Sequence, residues 1–214
     1  MENKFELEFD GLYGKYHITQ EDQIEVKKYR ISLLICGISF TTGIIQWIIL
    51  GGSFAWIWLI PMIISLGLAL KWIHIYIKLI HNILKGLWAI GSIGIFILIL
   101  NGNSQELLYN ISSKPILTLL IGPYFAAMAG LGFKEFFCFQ KPEAIGLTLF
   151  LPIAIGSNLL GIMNKETIMI LMLFSAILLL ILSLRKFGID PASDIGDKSV
   201  FEYLKQKEKL QGIN

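Results

Sequence analysis

Residues 71–85 read KWIHIYIKLIHNILK, and Lys71, His74, Lys78, His81 and Lys85 recur there at spacings of 3, 4, 3 and 4. At ~100° per residue these five fall, with Asn82, inside an arc of about 100° of a helix. Three chemistries fit such a stripe. Lysines on an interfacial helix snorkel to water and to anionic lipid headgroups. A basic ridge docks a partner protein or an anionic ligand. His74 and His81 could also ligate a metal or a haem. Seven residues span ~10 Å along a helix, too far to chelate one ion, so a haem would need a ligand from an opposing helix. The next polar stretch, FKEFFCFQKPE, carries Glu135 as the one acid between Lys134 and Lys141. An acid among aromatics at a membrane boundary needs a partner or water. Glu135 is therefore expected to pair with the stripe, near Lys78 or His81.

The elements that hold these residues follow from the distribution of charge. The chain has 214 residues, 55% of them hydrophobic and 16% charged, with a mean hydropathy of +0.67. Residues 31–70, 86–105, 115–133, 144–164 and 167–184 carry no charged side chain. About 20 apolar residues cross a bilayer core of ~30 Å. The first stretch is broken by Gly51-Gly52-Ser53, so six spans are expected. They are Ile31–Leu50, Phe54–Leu70, Gly86–Asn101, Pro115–Phe133, Ala144–Met163 and Thr167–Leu184. This is an all-α polytopic membrane protein. A soluble enzyme, a nucleic-acid binder and a secreted disulfide scaffold are excluded. Segment 71–85 is expected as an amphipathic helix that either lies in the interface or extends the second span.

Sixteen of the 18 Lys and Arg fall on one side of this arrangement, with only Lys114 and Lys165 on the other. Positive loops stay inside, which puts both termini in the cytoplasm. Three parts follow: a cytoplasmic segment 1–30, a membrane bundle 31–184 and a cytoplasmic tail 185–214. The first thirty residues lack a signal peptide's basic start and apolar core, so the first span is expected to act as an uncleaved anchor.

The N-terminal segment alternates Phe5, Leu7 and Phe9 with acids, turns at Asp10-Gly11 and Gly14, and resumes at Tyr16 and Ile18. That pattern predicts a short β-hairpin. Thr19, with Asp22 three residues on, can cap a helix running into the first span. In the tail, Gly188 and Pro191 stop the last span, and Asp197 or Ser199 can cap an amphipathic helix to about Leu210. Gly196, Lys198 and Ser199 lack the spacing of a phosphate loop.

Within the spans the polar residues are mild: Thr41, Thr42, Gln46, Ser65, Ser92, Asn158 and Ser175. Proton-coupled pumps place ionisable groups at mid-depth. Gly122, Ala126 and Gly130, at i, i+4 and i+8, form a candidate helix-packing face. Cys36 and Cys138 make neither a CxxC unit nor a zinc cluster, and no hydrolase or dinucleotide motif occurs. An enzyme is not expected, nor is a cofactor or a metal. The expected partners are membrane lipids with anionic headgroups at the cytoplasmic face, together with other membrane proteins.

The stretches His74–His81 (HIYIKLIH), Phe133–Phe139 (FKEFFCF) and Asp194–Tyr203 (DIGDKSVFEY) resemble a family of uncharacterised integral membrane proteins of cyanobacteria and plastids. The resemblance runs from about Gly11 to Tyr203. It implies a photosynthetic host and a thylakoid or plasma membrane, and carries over no catalytic residue. A small multi-span protein without visible chemistry in such a host is expected to be a scaffold or assembly factor. The alternative is a small transporter or channel for a neutral or anionic solute. A continuous polar path through Gln46, Ser92 and Asn158 would favour the alternative, and a dry bundle with its polarity at one face would favour the scaffold.

Overall fold

The computed structural model describes residues 7–75, 77–101, 107–200, 203, 206 and 207. Apolar residues alternating with charged ones give strand β1 (Leu7–Gly11) and strand β2 (Gly14–Ile18). They pair antiparallel with Gly11 opposite Gly14, so the turn is Leu12-Tyr13 alone. Thr19 then opens α1 (Gln20–Leu50). Its hydroxyl accepts from the Asp22 amide at 3.3 Å, and the Asp22 carboxylate accepts from the Thr19 amide at 2.8 Å. Two of the backbone donors at the helix start are thereby satisfied.

Gly51, at a φ of +82°, ends α1 where an L side chain would be strained. A 3-10 turn, Ala55–Trp58, leads into α2 (Leu59–Trp72). Pro61 sits in the first turn of α2, where its missing N–H costs nothing. The helices α3 (Lys78–Asn101), α4 (Leu107–Ser113), α5 (Thr118–Phe139), α6 (Pro142–Leu160), α7 (Lys165–Lys186) and α8 (Pro191–Ile195) follow. Among the described residues, six helices are long and apolar enough to cross a membrane: α1, α2 with its 3-10 turn, α3, α5, α6 and α7. The six-span expectation and the N-terminal hairpin both stand.

Each long helix packs on its neighbour in sequence, and α7 returns to α1, closing a ring. The middle of that ring is filled. Leu33, Cys36, Leu66, Tyr124, Met128 and Leu131 are all buried, and the Tyr124 hydroxyl reaches to 4.0 Å from Cys36 Sγ. Helix α3 crosses α5 at close range. A Cβ at Gly91 would overlap the Tyr124 amide, and one at Gly94 would overlap the Leu120 carbonyl. Small residues let backbones touch in this way. The expected face on α5 is divided instead. Gly130 admits Leu84, a Cβ at Gly122 would only touch Ile155 at 3.7 Å, and Ala126 is exposed.

Segment 71–85 is not one helix. α2 stops at Trp72, Ile73 is extended at φ −70° and ψ 134°, and α3 starts at Lys78. The alternation of Ile73, Ile75 and Ile77 is β-branched at every apolar position, which weakens helix exactly where the chain must reverse between two antiparallel spans. Residues 71–72 thus end the second span, and 78–85 are the first two turns of the third.

Candidate functional site

The end of the bundle that carries most of the lysines and arginines, here the basic end, gathers a buried charge cluster. Lys186 is the last residue of α7, where the C-terminal dipole favours a cation. Its Nζ lies 2.6 Å from Glu135 Oε2 on α5 and also pairs with Asp194 Oδ1 on α8. The Phe139 ring covers it, with the ring centre 3.9 Å from Nζ. Glu135, fully buried, accepts from the Tyr29 hydroxyl at 2.6 Å and from Lys134 Nζ at 3.1 Å. Asp194 accepts from Arg30 Nε at 2.8 Å, with Arg30 Nη2 at 2.6 Å. Next to the cluster, Arg185 donates to Glu143 at 3.0 Å, tying α7 to α6.

Three cations therefore face two carboxylates, leaving a formal excess of one positive charge. None of the five has more than a tenth of its side chain exposed. A site that must admit a substrate needs access, and these groups are closed off by one another. Such a network, once satisfied, fixes a single arrangement of the elements that contribute to it. The contributing elements are α1, α5, α7 and the tail helix α8.

The tail continues the clamp. Asp190 caps α8 by accepting from the Ala192 amide at 2.9 Å. Asp197 accepts from the Leu12 amide at 2.6 Å and from the Ser199 amide at 2.9 Å. These bonds hold its carboxyl below the usual carboxylate range. Ser199 Oγ accepts from the Tyr13 amide at 3.1 Å, and Tyr203 stacks on Tyr13 with ring centres 4.1 Å apart. Lys198 Nζ meets Asp22 at 2.7 Å. The Asp-Lys-Ser stretch is thus a cradle for the hairpin turn. Asp197 also starts the expected tail helix: residues 198–200, 203, 206 and 207 are helical, and the rest of that helix lies outside the described residues.

Glu135 takes its partners from α1, α7 and its own neighbour Lys134, which replaces the expected pairing with Lys78 or His81. The stripe is divided as well. Lys71, Lys78 and Lys85 are exposed, while His74 and His81 are half-buried. His81 Nε2 lies 2.7 Å from the Leu70 carbonyl, closing the end of α2. His74 Nε2 lies 3.7 Å from Glu25 of α1, and burial lowers its pKa although Glu25 pulls the other way. Lys28 sits 5.5 Å and Lys71 5.8 Å from the centre of the Trp72 ring. Among the described residues no three His, Cys, Asp or Glu side chains converge as a metal site.

Sequence reasoning missed Tyr29, Arg30, Lys186 and Asp194. A signal existed: Arg30 and Lys186 each abut a span end on the side where Glu135 also sits.

Residues 68–203 match the family described as Uncharacterized integral membrane protein (DUF2301). The chain belongs to the DUF2301 family. With six apolar helices it is a multi-pass integral membrane protein. No curated protein and no solved structure matches it. The stretch shared with DUF2301 contains Glu135, Lys186, Asp194 and the Asp197–Ser199 cradle. Tyr29, Arg30 and the hairpin, which those residues hold, lie before it.

Proposed function

We propose that this DUF2301 protein is a non-enzymatic scaffold or assembly factor of a photosynthetic membrane, thylakoid or plasma. It works through its basic end, which faces the cytoplasm together with both termini. The observation that carries this reading is the one-sided polarity of the bundle. Every ion pair among the described residues lies at the basic end. The hairpin and tail are locked there into a fixed platform, ringed by exposed Lys71, Lys78 and Lys85 for anionic headgroups or a partner protein. The span polars do not form a path. Gln46 accepts from Trp58 Nε1 at 2.7 Å and Asn158 donates to Thr118 at 2.7 Å. The buried Tyr124, Met128 and Leu66 stand in the middle of the ring. The photosynthetic assignment rests on the motif resemblance, and the orientation on the charge split.

The test is purification of the full chain in mild detergent with lipids and co-purifying proteins identified by mass spectrometry. Wild type and the Lys71→Arg/Lys78→Arg/Lys85→Arg variant should retain anionic lipid and the same partners. Replacing all three by Gln should reduce both, and the absorbance spectrum should carry no haem band. A tag at Asn103–Gln105 should be accessible from outside while terminal tags stay protected. Protein-dependent solute flux in proteoliposomes would overturn the scaffold reading.

A further inference from the structure

The half of the bundle away from the basic end is packed around a void. A cavity of about 100 Å³ opens there on the ring axis, lined by side chains from all six spans. Along α1 it starts one turn beyond buried Cys36, at Phe40, and α2 contributes Met62 at the same depth. With Phe125 and Met172 these form an apolar floor above the Tyr124–Cys36 contact. Trp47 and Trp58 form the wall nearer the mouth. The side-chain nitrogen of Asn158 donates within the lining, to Thr118 Oγ1 at 2.7 Å and to the Ile111 carbonyl at 3.4 Å. Lys165, the first residue of α7, is exposed at the rim, with its Nζ 5.6 Å from the centre of the Tyr109 ring. Among the described residues, Lys165 is the only ionisable side chain of the lining.

An apolar void of this size stays dry and takes up an apolar molecule, on the scale of a single benzene ring. Aromatic and methionine walls with one charged group at the mouth match a ligand with an apolar body and one head of opposite sign. We propose that this cavity binds an anionic amphiphile such as a medium-chain carboxylate, the end of its tail filling the void at the Phe40–Met62 floor, the rest of its chain in the open mouth along Trp47 and Trp58, and its carboxylate at Lys165. The site faces away from the platform and is independent of the scaffold reading.

The experiment uses the full-length protein in nanodiscs of zwitterionic lipid, titrated with 8-bromooctanoate, whose terminal bromine quenches nearby tryptophan. Saturable quenching is expected, carried by Trp47 and Trp58 and lost in the Trp47→Phe/Trp58→Phe variant. Octanoate should displace the probe, and octanol should do so about fivefold less well, the difference one partly exposed ion pair makes. Lys165→Gln should bring octanoate down to the octanol level, and Lys165→Arg should not. Ile168→Phe and Ile44→Phe, which fill the cavity, should abolish saturation while the melting temperature is kept or raised. Quenching that never saturates, or that is unchanged in both filled variants and in the double tryptophan variant, would show only partition into the bilayer and overturn the site. Equal displacement by octanoate and octanol, unaffected by Lys165→Gln, would overturn the assignment of the head.

Discussion

Glu135→Gln is the sharpest probe of the charge cluster. The carboxylate is fully buried, 2.6 Å from Lys186 and 3.1 Å from Lys134, and it accepts from Tyr29 at 2.6 Å. Glutamine keeps the size and the bond from Tyr29 but removes the charge. Arg30, Lys134 and Lys186 would then face Asp194 alone, and the formal excess would double. Removing one partner of a buried pair costs about 3–5 kcal/mol. At ~2–4 °C per kcal/mol for a chain of this size, the lower figure is a fall of about 6–12 °C in melting temperature. Lys186→Met should cost less, because it leaves two cations against two carboxylates. Adding Lys186→Met to Glu135→Gln restores the wild-type excess of one, so the double variant should recover part of the loss. The coupling expected for groups in contact is about 0.5–3 kcal/mol. Thermal melts of the four proteins in one detergent supply the measurement. A Glu135→Gln variant within about 0.5 kcal/mol of wild type, the range of ordinary surface changes, would refute the ionic description. So would a double variant that loses the sum of the two single effects.

Gly91→Ala and Gly94→Ala should each destabilise by about 1–3 kcal/mol or more, since the added methyl meets the α5 backbone. Ala126→Leu, on an exposed side of α5, and Gly156→Ala, with open space around it, should melt like wild type; equal losses at Gly91 and Ala126 would contradict the α3–α5 crossing. Asp197 has a folded pKa below its unfolded value, so its contribution is fully present above the unfolded pKa and is lost as pH falls through the folded one. Protection of the Leu12 and Tyr13 amides, measured against the intrinsic exchange rate at each pH, should therefore hold above the ordinary carboxylate range and be lost only below it, and Asp197→Asn should show little protection already at neutral pH. Slow exchange in that variant would mean that the hairpin turn does not depend on the tail.

The spans were legible because each is a charge-free run of the right length, a one-dimensional property. The Thr19–Asp22 cap and the hairpin were legible for the same reason: their partners are at most a few residues apart. The break between the end of α2 at Trp72 and the start of α3 at Lys78 was not. A stripe at spacings of 3 and 4 also arises when one helix ends and another begins a few residues on, and no Gly or Pro marks the reversal. The apolar residues of the segment include Ile73 and Leu84, which are core residues. Partners of Glu135 were illegible for a different reason. Tyr29 is 106 residues away in sequence, and its place beside α5 depends on how the ring closes.

That closure gives the cluster its physical sense. Between helices in lipid there is little hydrophobic preference for one neighbour over another, because the lipid tails are as apolar as the side chains. Close packing at Gly91 and Gly94 selects α3 for α5, but it says nothing about where a water-soluble hairpin and tail should sit. A buried lysine that needs two carboxylates from two different elements does select. Lys186 is satisfied only when α5 brings Glu135 and α8 brings Asp194 to the same point, and Asp194 is shared with Arg30 only when α1 is in register. Removing any one element strands a charge where water does not reach it. The cluster therefore discriminates against misassembled forms more strongly than it stabilises the native one. The platform proposed above, whose shape would have to be fixed to be recognised at a membrane surface, has that requirement.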